Sequence, residues 1–199
     1  MTPTIEGTTR PNEWLEALAR GAVYTFLSRA LAHPTAVGER EIGERLLPVL
    51  GSIRLPDRCE AALRAAIVGR ELPLEELRRT YGRVFTPTES PDCPSYETAF
   101  VRGDVFQQAH TMADVAAFYR AHGLSAGGRI RVRPDHIVAE LEFMGFMGRK
   151  EARAIEDERA GRASTCRKVQ ATFLRDHLGT WAPGLGRRVA VVAEAPWLR

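Results

Sequence analysis

Pro134-Asp135-His136-Ile137-Val138-Ala139-Glu140-Leu141-Glu142-Phe143-Met144 opens on a proline suited to a first helical turn and then repeats apolar residues at helical spacing. Ile137, Leu141 and Met144 form one stripe. His136 and Glu140, four residues apart, are neighbours on the next, which Phe143 and Met147 continue. The spacing predicts a helix over 134–158, its first stripe facing the core. Asp135 falls in the first turn, where the helix dipole and free backbone N–H groups favour a carboxylate.

The same period recurs on both sides of this segment. Leu15, Leu18, Ala22 and Phe26, with Val23, Leu27 and Ala30 beside them, predict a helix over 12–32 that His33-Pro34 ends. Shorter helices follow over 39–50, with Ile42, Leu46 and Val49 inward, and over 57–68, with Ala62, Leu63, Ala66 and Ile67 inward. Another begins at Pro73 and carries Leu74, Leu77 and Tyr81. Pro87, Pro91 and Pro94 then break the pattern. It resumes over 98–121, with Val105, Met112, Val115, Ala116 and Tyr119 on one face, and His122-Gly123 closes it as a glycine cap does. Residues 123–133 read as a loop. After the long helix, another over 164–178 buries Val169, Phe173 and Leu174, and the Gly/Pro-rich stretch 179–186 is expected to end it. Val189–Val192 reads equally as a short strand or a helical turn. The fold class is therefore all-α: a helical bundle in two segments, 1–85 and 98–199, joined by a proline-rich connector at 86–97, without solenoid repeats.

Composition narrows the function classes. A chain of 199 residues with 44% hydrophobic content buries a core without disulfides, and three widely spaced cysteines without a CxxC pair fit a reducing compartment. The polar first eleven residues lack the basic start and apolar run of a signal peptide, so the expected location is the cytoplasm, with no direct membrane insertion. Net charge is only +3, from 28 Lys+Arg against 25 Asp+Glu, scattered along the chain. A nucleic-acid binder would gather its cations on one face. The densest run, Arg129-Ile130-Arg131-Val132-Arg133, is short and reads as solvated surface.

Two places carry candidate chemistry. Around Asp135, His136 and Glu140 the plain reading is a capped helix with a His–Glu pair. The alternative is a metal- or nucleotide-dependent hydrolase, although His-x-x-x-Glu lacks further ligands and no His-Glu-x-x-His motif exists. At Cys93-Pro94-Ser95-Tyr96-Glu97-Thr98, Tyr96 and Glu97 either receive a cationic peptide at a groove mouth or cap the next helix. Cys93 has no adjacent base and reads as a structural thiol. No GxGxxG, GxxxxGK[ST] or GxSxG motif is present, so no catalytic residue, metal or cofactor is assigned.

Pro134-Asp135-His136 followed by Glu140-Leu141-Glu142-Phe143-Met144 resembles the Asp-His signature of the TorD/DmsD/NarJ family of redox-enzyme maturation chaperones. Tyr81-Gly82-Arg83-Val84-Phe85 is similar to that family's Tyr-x-x-Leu-Phe element. Cys93 to Thr98, with Met112-Ala113-Asp114-Val115 and Phe118-Tyr119, resembles the branch serving the dimethyl sulfoxide reductase superfamily. The likeness extends roughly from Trp14 to Leu178. It implies a non-enzymatic cytoplasmic chaperone that binds the twin-arginine signal peptide, or the apo form, of a molybdopterin-dependent oxidoreductase subunit and assists insertion of its molybdopterin guanine dinucleotide cofactor before export. Carried over position by position, the client surface comprises Tyr81, Phe85, Tyr96, Glu97, Asp135, His136, Glu140 and Phe143, carboxylates meeting the peptide's arginines and rings its apolar stretch. Val132 stands where the family often has a glutamate, which removes one acidic contact and weighs against guanine-nucleotide binding at that loop. Many relatives continue into a further helix beyond the position of Leu198-Arg199, so the resemblance implies a last layer that is either thinner or completed by a second subunit. Both a monomer and a domain-swapped homodimer are compatible with the family.

Overall fold

Helix α5 (Ile137–Glu156) runs through the middle of the fold and is buried on most of its circumference, from Ile137, Leu141, Phe143, Met144 and Met147 through to Ala152 and Ala154. The computed structural model describes residues 10–35, 46–48, 50–51, 55–85, 92–101, 104–124, 132–195 and 198. Ahead of α5 come α1 (Arg10–Ala30), α2 (Asp57–Gly69), α3 (Leu74–Val84), a 3-10 turn (Glu97–Ala99) and α4 (Val105–Ala121). Behind it lie α6 (Ala160–Phe173), a π-helical turn (Leu174–Leu178) and α7 (Gly179–Val192). There is no strand among the described residues, and the architecture is all-α.

Glycines decide how α1 lies on α5. A Cβ on Gly148 would stand 2.7 Å from Gly21 Cα, and one on Gly21 would stand 3.0 Å from Arg149 N, so the backbones approach closer than any side chain permits. Thr25 donates to Gly21 O at 2.8 Å and accepts from Arg149 Nη1 at 2.5 Å, which fills the polar margin of this seam. Farther along, the fully buried Glu151 accepts from Arg20 Nη2 (2.5 Å), Arg167 Nε (2.8 Å) and Gln170 Nε2 (2.6 Å), tying α1, α5 and α6 together. The expected large residues Leu15, Leu18 and Ala22 are only half-buried, whereas Ala17, Ala19, Gly21 and Ser28 are the deeply buried ones with Phe26.

Two apolar clusters result. The larger joins Val84, Phe85, Tyr119, Phe143, Phe173 and Trp181, and the smaller packs Phe26, Ala30, Leu46, Leu50, Leu63 and Ile67. Leu27 touches both, so α1 serves as the wall they share. Most of the helix expected over 39–50 lies outside the described residues, as do 86–91 of the connector and 125–131 of the loop; Leu46 is buried as its spacing indicated.

Several expectations need correction. The helix expected from Pro134 begins at Ile137, with His136 as its N-cap, because the side chain of His136 accepts from Val138 N at 3.1 Å. The helix expected from Thr98 begins at Val105, capped by Asp104, which accepts from Gln107 N at 3.0 Å; Val105 lies outside the core. Leu174 and Ala62 are likewise exposed. The stretch 179–186 does not end a helix but lies inside α7, despite Pro183. Trp181, Leu185 and Val189 recur every four residues and are all buried. Burying them is worth roughly 1.5–3 kcal/mol each, against about 3 kcal/mol for an interior proline. The π turn admits this continuation only because Gly179 lacks a Cβ, which would collide with Leu174 O. No helix among the described residues is long and apolar enough to cross a membrane.

The glycine seam yields a paired prediction. Gly148→Ala lowers unfolding free energy by about 1–3 kcal/mol through overpacking against α1. Gly82→Ala in α3, where an added Cβ meets nothing within 4 Å, raises it by up to about 1 kcal/mol. Urea melts of both variants measure the contrast.

Candidate functional site

Residues 95–97 and 135–137 pair as a miniature antiparallel ladder. Glu97 N donates to Asp135 O and Ile137 N donates to Ser95 O, each at 2.9 Å, around the single bridge Tyr96–His136. The connector's last residues are thereby laid across the start of α5. Tyr96 and His136 then meet edge to face, with centroids 5.0 Å apart.

Asp135 is fully buried, and its carboxylate is consumed inside the protein. Oδ2 accepts from Thr98 Oγ1 (2.7 Å), Thr98 N (3.3 Å) and Arg133 Nη2 (2.9 Å), and Oδ1 accepts from Arg133 Nε (3.0 Å). The Arg133 fork is the bidentate partner a buried carboxylate needs. Its guanidinium also lies 4.5 Å from the Tyr96 ring centroid and donates to Thr98 Oγ1 at 2.8 Å. Asp135 was expected in the first turn of α5; it instead precedes the cap and fastens the 3-10 turn. Arg133, read as solvated surface, is its counterion.

His136 and Glu140 do not pair. His136 turns to cap the helix, and burial, with the Arg133 charge, lowers its pKa to about 4 although Asp135 opposes the change. The imidazole is therefore neutral, with Nδ1 an acceptor and Nε2 the protonated nitrogen. Glu140 is fully buried and accepts from Trp181 Nε1 at 3.1 Å. Burial, and next the Glu97 carboxylate, hold its pKa well above the usual carboxylate range, so it keeps its proton at neutral pH. Glu97 in turn faces His177 Nδ1 at 3.2 Å, while His177 Nε2 lies 3.3 Å from Asp114. Burial alone would depress His177, but the hydrogen bond and charge of Glu97, joined by Asp114, raise its pKa overall. Asp114, His177, Glu97, Glu140 and Trp181 thus link α4, the π turn, the connector, α5 and α7.

The remaining expected residues divide between surface and interior. Tyr81 is half-buried, 5.1 Å from both the His33 ring and the Phe85 ring, and burial, then the nearby Tyr96 hydroxyl, raise its pKa. Phe85 is buried beneath it. Phe143 lies deeper, among Tyr119, Phe118 and Phe173, and stands apart from the connector. Sequence reasoning missed Thr98, Arg133, His177 and Trp181. A four-residue spacing from Trp181 to Val189 signalled the last of these, whereas nothing local marks His177 as the partner of a residue 80 positions away. Among the described residues no group of three His, Cys, Asp or Glu could hold a metal ion.

Two substitutions measure this network. Asp135→Ala, which strands Arg133 and Thr98, lowers unfolding free energy by about 2–4 kcal/mol in denaturant melts. Because Glu140 binds its proton more tightly folded than unfolded, its contribution to stability is fully present below the ordinary carboxylate range and is lost as pH rises from there toward about 9. Glu140→Gln keeps an acceptor for Trp181 and raises stability at pH 9 by about 1–3 kcal/mol; His177, acting with the same sign, keeps some slope in the pH profile of the melting temperature.

Comparison with known proteins adds what geometry does not. The chain is 25% identical over 174 residues to a perchlorate reductase assembly chaperone protein of Dechloromonas aromatica, covering 84% of this chain and 76% of that one. It is 31% identical over 84 residues to a selenate reductase assembly chaperone protein of Thauera selenatis, a match spanning 42% of each. A family model described as nitrate reductase delta subunit matches residues 54–186, and this range contains the tyrosine element of α3, the connector and the Asp-His start of α5. The chain belongs to the nitrate reductase delta subunit family, a family of reductase assembly chaperones of the TorD/DmsD/NarJ type and not of enzymes.

Proposed function

We propose that this protein is a cytoplasmic chaperone for the apo catalytic subunit of a molybdopterin-dependent oxidoreductase, which it holds, through the twin-arginine signal peptide, until the client's molybdopterin guanine dinucleotide is in place. Support comes from family membership and from relatives whose names describe reductase assembly chaperones. The observation that carries the location is the ladder between connector and α5, which brings Tyr96 and His136 together beside Tyr81.

On this reading the client surface is built in two depths. Tyr81 and Tyr96, both half-buried, and the edge of His136 offer rings to an apolar stretch of the peptide. Glu97, Asp135 and Phe85 support those rings from beneath, since each is buried and partnered within the fold, while Glu140 and Phe143 lie deeper in the core. Arginines of the peptide then meet aromatic faces by cation–π contact, as Arg133 already does on Tyr96. A hydrolytic role for Asp135, His136 and Glu140 finds no support, because Asp135 is neutralised by Arg133 and the other two do not face one another.

Isothermal calorimetry with the signal peptide of the molybdoenzyme encoded beside this gene tests the proposal. The expected result is a micromolar or tighter Kd, weakened at least fivefold by Tyr96→Ala or His136→Ala in protein whose helical circular dichroism is unchanged. Binding of the apo subunit with and without its leader separates leader capture from capture of the body. Absence of binding by either form overturns the reading.

A further inference from the structure

At the far end of α5 from the Asp-His cap, the last turns of α5 and the first turns of α6 border a cleft of about 670 Å³, with His122 from the end of α4 at its edge. Its floor is apolar: Phe146 and Ala154 from α5 and Cys166 from α6. Around that floor stand Lys150, Arg153, Arg159 and Arg162, with Asp157 as the acid. Asp157 is shared, 3.2 Å from Arg153 and 4.0 Å from Arg159, and Arg153 also reaches Glu156 at 3.0 Å. Lys150 and Arg162 have no carboxylate partner among the described residues. Lys150 Nζ instead lies 5.4 Å from the Phe146 ring centroid, so an uncompensated cation and an aromatic face occupy the same wall. The α6 N-terminus points its positive dipole end the same way, and Gly161 leaves open space there.

We propose that this cleft binds a small amphiphilic anion, a phosphate or carboxylate headgroup on Lys150 and Arg162 with a flat apolar body against Phe146 and Ala154. The volume lies in the range of ordinary small-molecule sites, and a mainly apolar lining with a few convergent charged groups is their usual make-up. His136 and Lys150 are fourteen residues apart, about 20 Å at the helical rise, so the site is separate from the rim of Tyr81, Tyr96 and His136 proposed above and stands without it.

Titration of the full chain with the fluorescent anion 1-anilinonaphthalene-8-sulfonate, followed by displacement with phenyl phosphate, benzoate or inorganic phosphate, tests the assignment. Phenyl phosphate or benzoate is expected to displace the dye, the more effective of the two identifying the headgroup, while inorganic phosphate is at least tenfold weaker. The paired substitution Lys150→Ala with Arg162→Ala weakens that displacement at least tenfold, and Arg175→Ala, on the exposed π turn, leaves it unchanged. As a second readout, in a Cys59→Ser background the winning ligand slows N-ethylmaleimide alkylation of Cys166, measured by peptide mass spectrometry. This readout decides the matter if the paired variant does not fold. Displacement that ignores the paired substitution, inorganic phosphate as effective as phenyl phosphate, no displacement, or no protection of Cys166 each overturns the proposal.

Discussion

A helix buried on most of its circumference cannot rely on water to satisfy the polar groups of its buried faces, and that constraint on α5 organises the protein. Its first turn is capped by His136, and the carboxylate before the cap, Asp135, is neutralised by the Arg133 fork. One turn in, Glu140 avoids the cost of a buried charge by keeping its proton, with Trp181 donating to it. Three turns farther, Glu151 stays paired because Arg20, Arg167 and Gln170 converge on it. Each solution recruits a different neighbouring element, so the same demand that satisfies α5 also positions the connector, α1, α6 and α7.

Close packing supplies the second half of the argument. Gly21, Gly145 and Gly148 let α1 and α5 approach backbone to backbone, which places Ser28 Oγ within 2.9 Å of Val138 O near the Asp-His end. Through α1 the smaller apolar cluster is joined to the larger one. The α1–α5 seam is therefore part of the scaffold under the proposed client surface, with Tyr81 carried on α3 and Tyr96 at the end of the connector.

The acids of the candidate site have an internal occupation. Asp135, already bonded to Thr98 and Arg133 in a dry interior, has little left for an incoming arginine, so on the proposed reading affinity for a basic peptide comes from aromatic and apolar faces at the rim. On that proposal a net charge of +3 is no obstacle to a cationic leader, because cation–π and apolar contacts do not require a negative field. The chain of Asp114, His177, Glu97 and Glu140 ties the connector's seat to protonation, since the buried Glu97 and Glu140 carboxyl groups and the His177 imidazole share a space that tolerates little net charge, with the exposed Asp114 at its edge.

The helical class and the approximate positions of α1 to α3 and α5 were legible in the residues, because amphipathic period and proline placement are local properties. The same residues misled where a local rule met a nonlocal reward. Gly179 to Gly186 reads as a helix end, yet burial of Trp181, Leu185 and Val189 outweighs the proline, and His136 and Glu140, neighbours by spacing, turn away to cap a helix and to meet Trp181. What the chain alone determined is the helical class and most of its helical segments. Only the tertiary structure decided the side chains' partners, because an ion pair or a shared proton depends on which atoms lie within about 3 Å once water is excluded, and Glu97 finds His177 across 80 residues that no spacing rule connects.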